Sequence, residues 1–159
     1  MAIDSYLQLD GIQGEATDQN FKDQINILSY SVGGIQVSSA GTRTAGSGAG
    51  KVDLADFSVT KHYDKSSPQL FKALCAGKHI PKGIFSSVKA GAGGKAFLKF
   101  SFEEMFVTSV HVSATDELPT ESISFSYKQI KIDYLTQDAK GTVTMAGSVT
   151  HNAGTGFTA

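Results

Sequence analysis

The chain has no tryptophan, one cysteine and three prolines in 159 residues, and no apolar run approaches the ~18 residues that would span a bilayer as a helix. The single cysteine, Cys75, rules out an internal disulfide and is compatible with a reducing compartment. Without tryptophan, a carbohydrate-binding module would lack its usual aromatic platform. Basic residues are neither abundant nor clustered, and the formal net charge is −1. That balance argues against nucleic acid, whose phosphates need grouped lysine and arginine, and against a basic grip on anionic lipid. The opening MAIDSYLQLDG carries an acid at position 4 and no basic start before an apolar run, so it is not a secretory signal. Export, if it occurs, would need no cleaved signal.

What is present is alternation. Ala96, Leu98, Phe100 and Phe102 alternate with Phe97, Lys99 and Ser101, and Ile123, Phe125 and Tyr127 alternate with serines; period two reads as strand. After Gln129 the apolar set shifts parity to Ile130, Ile132 and Tyr134, which predicts a bulge or bend near Tyr127–Gln129. Val143, Met145 and Val149 mark another strand. Further strands are expected at Ile3–Leu9, Ile25–Val32, Val52–Thr60 and Phe85–Val88. Gly91–Gly94 reads as a tight turn.

One segment is punctuated as a helix. After Asp64, Ser66 or Ser67 can cap the free amides of a first turn, Pro68 fits the first helical position, and Gly77 supplies the left-handed stop. Leu70, Phe71 and Leu74 form the expected apolar face, and so short a helix must dock on a sheet. The stretch Gly33–Gly50 is glycine-rich and small, and is expected as an extended mobile loop. The end, His151–Ala159, is expected as a flexible tail. The whole predicts a single domain over residues 1–159, mainly β: an antiparallel β-barrel with one short flanking α-helix.

Catalytic patterns are weak. Ala45–Val52, AGSGAGKV, misses the first glycine and the hydroxyl of a phosphate loop, and a strand follows where a helix is required. His62, Asp64, Ser66 and Ser67 lie close in sequence, but adjacency is not triad geometry; a hydrolase there would lose activity on Ser67→Ala with folding intact. Cys75 and His79 are interrupted by Gly77 and have no second ligand pair, so Cys75 is expected as a small core residue and no metal is expected. Glu103 and Glu104, adjacent on a strand, should point to opposite faces. The remaining signal is hydroxyl-rich: Ser29 and Ser31; Ser122, Ser124 and Ser126; Thr144, Ser148 and Thr150. Such runs form either an ordinary solvated sheet face or the lining of a water-filled passage.

Several segments in order resemble the haemolysin-coregulated proteins (Hcp) of type VI secretion. They are MAIDSYLQLDGIQGEATD with its Gly14-Glu15 turn; INILSYSVGG from Ile25; TKHYDKSSPQL from Thr60 with Ala76-Gly77-Lys78 after it; VKAGAGGKAFLKFSFEEMFVTSV; and ESISFSYKQIKIDY from Glu121. The resemblance implies a barrel assembled as a homohexameric ring with a central channel, and rings stacked into a tube inside a contractile sheath. It implies a valine-glycine-repeat spike at the tip, small effectors carried and chaperoned in the channel, and no cofactor. It places the protein in the bacterial cytoplasm before firing and outside, or in a target cell, afterwards. A fused C-terminal toxin domain, borne by some members, is not expected. Ser29 and Ser31 are then candidates for the channel lining and effector contact. Gly33, Gly34, Gly41, Arg43, Gly46, Gly48 and Gly50 mark the candidate ring-stacking loop. A phage-like tail-tube subunit and a monomeric ligand-binding β-module are the alternatives.

Overall fold

The computed structural model describes residues 2–38, 49–90 and 93–159. Its strands are β1 (Ile3–Leu9), β2 (Ile25–Ile27), β3 (Ser29–Ser31), β4 (Gly34–Ser38), β5 (Ala49–Leu54) and β6 (Phe57–His62), followed by helix α1 (Ser67–Ala76). Then come β7 (His79–Lys89), β8 (Ala96–Ser113), β9 (Thr120–Ser126), β10 (Gln129–Gln137), β11 (Val143–Asn152) and β12 (Phe157–Thr158). Every ladder is antiparallel, as expected of strands that alternate polar and apolar residues and so bury one face.

The 18-residue β8 is the spine. One of its edges pairs with β7 from Ala96 to Phe106, and the other pairs first with β10 and then with β9. The exchange happens opposite Tyr127–Lys128, where the apolar parity changes, and the Lys128 N–H bonds the Glu103 carbonyl at 3.0 Å. Across from that break, Glu104 takes φ 56, a left-handed conformation uncommon outside glycine. Phe102 and Met105 are both buried while Glu103 and Glu104 are both exposed. The two carboxylates therefore share the outer side, correcting the expectation of opposite faces: a left-handed residue kinks the strand and interrupts its alternation with no shift of register.

The pairing does not close into a ring of ladders, but it comes round as a barrel-like wrap. β1, β7, β8, β9, β6 and β3 pair in succession, and β2 pairs β1. Between β2 and β3 stands only Leu28, whose N–H bonds the Thr60 carbonyl at 2.8 Å. One bent chain segment thus passes from the β1 edge to the β6 edge. Inside, Phe57, Phe85 and Phe125 have no exposed surface, and the Phe57 ring stacks on Phe102 at 4.6 Å. Such ring pairs add about 0.5–1.5 kcal/mol each to the apolar area they bury. Gly14 lets a second strip of backbone close in: a Cβ there would meet the Gln24 carbonyl oxygen at 2.4 Å. Its own N–H bonds the Asp23 carbonyl at 2.8 Å.

Helix α1 is fastened by charge as well as by apolar contact. Alternation along β6 turns Lys61 inward after Phe57 and Val59, and alternation along β9 turns Glu121 inward before Ile123 and Phe125. The two are register partners, and their side chains are each 1% exposed. Lys61 Nζ pairs with Glu121 Oε1 and lies 2.9 Å from both Asp64 Oδ1 and Ser67 Oγ and 3.0 Å from the His62 carbonyl. Ser67 Oγ donates to Glu121 and accepts the Asp64 N–H at 3.0 Å. Ser66 directs its N–H and hydroxyl to Asp64. Neither serine side chain caps the helix as expected. Ser66 holds the N-cap position without a side-chain cap bond, Ser67 is the first helical residue, and Pro68 is the second. Gly77, at φ 60, ends the helix, and the Lys78 N–H reaches back to the Ala73 carbonyl at 3.0 Å.

Other expectations change for local reasons. The buried positions of α1 are Ser67, Leu70 and Ala73, because the serine is drawn to the ion cluster. Phe71 is accordingly 54% exposed, and Cys75 is exposed rather than part of the core. The expected strand Val52–Thr60 is broken at Ala55–Asp56 into β5 and β6. At the two ends of the expected Gly33–Gly50 loop, Gly34–Ser38 and Ala49–Gly50 belong to β4 and β5, which pair as a separate ribbon with Gly34 opposite Leu54. Gly41, Arg43, Gly46 and Gly48 lie outside the described residues. The end of the chain, expected as a tail, is placed as a return: β12 pairs with His151 and Asn152, and Ala159 and Thr150 exchange backbone bonds of 2.8 Å.

Removing one member of a buried ion pair leaves its partner's charge uncompensated, whereas replacing both with apolar groups does not. Lys61→Met should therefore lower stability by about 3–5 kcal/mol, and adding Glu121→Leu should restore at least half of that loss. Urea denaturation midpoints of the two variants and the parent measure this; an additive further loss in the double variant would refute it.

Candidate functional site: a hydroxyl-lined sheet face

The same alternation that fills the core sets the outward side chains of β3, β6, β9 and β8. Register places Ser31, Ser58, Ser124 and Ser109 in one row across these strands. Ser29, Thr60, Ser122 and His111 make the next row. His62, Thr120 and Ser113 make a third. Ser29 and Thr60 hydroxyls share a hydrogen bond of 2.5 Å, and those of Ser58 and Ser124 one of 2.9 Å. These cross-strand hydroxyl pairs add to the ladder's own stability and leave a flat, small-residue surface. No lysine or arginine stands in the three rows. Behind them lie Phe57, Val59, Ile123 and Phe125, all buried, so the face is supported by the packed core.

The structure thus joins Ser29 and Ser31 to the Ser122–Ser126 run. It does not join them to Thr144, Ser148 and Thr150, which belong to β11 and face β10, where Ser148 Oγ donates to Asp133 Oδ1 at 2.6 Å. Gly33 stands apart from these rows, its carbonyl accepting the Ala55 N–H at 2.9 Å, while Gly34 and Gly50 lie in the β4–β5 ribbon.

The catalytic readings find no assembled geometry. Asp64 and Ser67 are engaged by Lys61 and Glu121, and His62 is on the other side of β6 from Lys61, so a triad is not brought together. Cys75 is exposed on α1, while His79 Nε2 pairs with Glu104. Among the described residues no group of three His, Cys, Asp or Glu could hold a metal ion. Ala49–Leu54 is strand, so no helix follows the AGSGAGKV segment. No helix among the described residues is long and apolar enough to cross a membrane. Tyr127 has its phenol pKa raised, first by burial and then by the charge of Asp56; its OH donates to the Ala55 carbonyl at 3.0 Å.

Sequence reasoning missed Lys61 and Glu121 as a pair. The signal was their parity: each shares the inward period of its strand. Their meeting depends on the register between β6 and β9, which alternation alone does not supply.

A family model described as type VI secretion system effector, Hcp, matches residues 6–134. Protein hcp1 of Pseudomonas aeruginosa PAO1 is 34% identical over 144 residues, covering 89% of this chain and 88% of that protein. A solved structure of a type six secretion system protein has a TM-score of 0.91 at 26% identity, covering 99% of this chain and 100% of the other. Hcp1 from Salmonella typhimurium has a TM-score of 0.79 at 28% identity over the full length of both. Matched along most of its length in sequence and fold, the chain belongs to the Hcp family, the tube proteins of type VI secretion.

Proposed function

We propose that this protein is the repeating subunit of a type VI secretion inner tube, that it forms six-membered rings, and that the hydroxyl face of β3, β6, β9 and β8 lines their bore. The observation that carries the reading is the face itself: three rows of small hydroxyl and imidazole side chains, without lysine or arginine, on one side of a packed barrel. Hydroxyls hydrogen-bond water and protein surfaces alike, and each contact adds little net free energy. A cargo protein held by many such contacts is retained and still released. Six identical head-to-tail contacts close a ring when each turns about 60 degrees.

In this reading Ser29 and Ser31 contact small effector proteins in the bore. The segment holding Gly33, Gly34, Gly41, Arg43, Gly46, Gly48 and Gly50 contacts the next ring. The tube then sits within a contractile sheath, beneath a spike of the valine-glycine-repeat family, and moves from the cytoplasm to the outside or into a target cell. The role is structural rather than enzymatic. A phage-like tail-tube subunit would share this geometry.

Negative-stain electron microscopy of the purified protein at near-physiological salt should show six-fold rings with open centres; uniform small particles at every concentration would contradict the reading. Ser31→Arg should leave ring formation intact and weaken retention of a co-expressed cargo by at least about tenfold, the equivalent of 1.4 kcal/mol. Unchanged co-purification of cargo with intact variant rings would remove Ser31 from the contact.

A further inference from the structure

The hydroxyl face is not uniform along its strands. One row further toward the start of β6, its chemistry changes. Phe106, the register partner of both Ser126 and His79, is 41% exposed, a phenyl ring beside a face of serine, threonine and histidine. The His79 ring lies against it, with centroids 5.4 Å apart. Glu104, whose carboxylate pairs with His79 Nε2, is 53% exposed at its side chain. Two residues further along β8, Thr108 Oγ1 donates to Asp56 Oδ2 at 2.6 Å. Asp56 immediately precedes β6 and is exposed. The three rows described above carry no carboxylate, so the face's negative charge and its exposed aromatic ring coincide at this end. His62 and His111 stand toward the other end.

We infer that Phe106, Glu104 and Asp56 form a recognition site for a guanidinium group, an arginine side chain of a protein lying against this face. A planar guanidinium stacks on an aromatic face and gives charge-assisted hydrogen bonds to carboxylates. A hydroxyl surface offers it neither. The site gives one end of the face a preference the rest lacks, so a cargo chain would lie in a set direction. That last consequence rests on the tube reading above; the guanidinium site itself does not.

The test is a titration of ethylguanidinium into isotope-labelled protein at neutral pH, followed by NMR, with neutral ethylurea as the control. Saturable shifts should be confined to His79, Glu104, Phe106, Thr108 and their neighbours, with no matching response to ethylurea. Phe106→Leu keeps the apolar volume and removes the ring, and Glu104→Gln keeps the shape and removes the charge. Each should weaken binding by about fivefold, the scale of one exposed cation–π contact. Shifts spread over all surface carboxylates, an equal response to ethylurea, or wild-type affinity in both variants would overturn the inference. Rings in the microscope without localised shifts would sink this inference alone. Localised shifts without rings would sink the tube reading and leave the site standing.

Discussion

The rest of the structure depends on a lysine that has been taken out of water. Lys61 sits buried on the inward side of β6, in line with Phe57 and Val59, and burying an ammonium there is costly unless it is paired and hydrogen-bonded. Its partners come from three places: Glu121 from the neighbouring strand, Asp64 from the turn that follows, and Ser67 from the first turn of the helix. A strand pairing, a turn and a helix position are thereby fixed in one arrangement. A slip of β6 against β9 by one residue would turn Lys61 outward and leave Glu121 buried without a cation. Buried charge is a weak source of stability but penalises alternatives strongly, and here the alternatives are wrong registers.

That register sets the outward face. Once Lys61 is opposite Glu121, Thr60 must lie beside Ser122 and Ser58 beside Ser124, so the hydroxyls meet in rows. The aromatic core holds these strands from behind, and α1, docked through Leu70 and Ala73, packs on β8. The family signature running from Thr60 through the helix therefore combines two tasks. Lys61, Asp64 and Ser67 fix the frame, while Thr60 and His62, alternating with them, look outward.

Much of this was legible in the sequence. The expected strands fell on β1, on the end of β7, on the start of β8 and on β9 to β11; the parity change after Gln129, read as a bulge or bend, is a break between β9 and β10; and Gly77 marked the end of the helix. What was not legible depended on partners distant in the chain. Ser66 and Ser67 look like caps because capping is a local interaction; Asp64, Lys61 and Glu121 engage them instead. Phe71 looks like core because it falls in an apolar group, but the pull of Ser67 toward the ion cluster turns that side of α1 outward. Glu104 looks like an alternating strand residue, but opposite the handover of β8 from β10 to β9 it takes a left-handed conformation that breaks the alternation. For the hydroxyl face, each strand's contribution was visible, whereas their alignment needed the register and the separate fate of the β11 threonines needed the topology.

The central claim is that the face of β3, β6, β9 and β8 becomes enclosed when copies assemble. The most direct measurement is the reactivity of a single cysteine placed at Ser122, in a chain where exposed Cys75 is replaced by serine. Rates would be compared between assembled and dissociated protein, using a small maleimide and one carrying a polymer too wide to enter a bore. The account predicts that assembly leaves the small reagent's access and removes the large one's, apart from tube ends. Equal reaction of the large reagent in both states would contradict it.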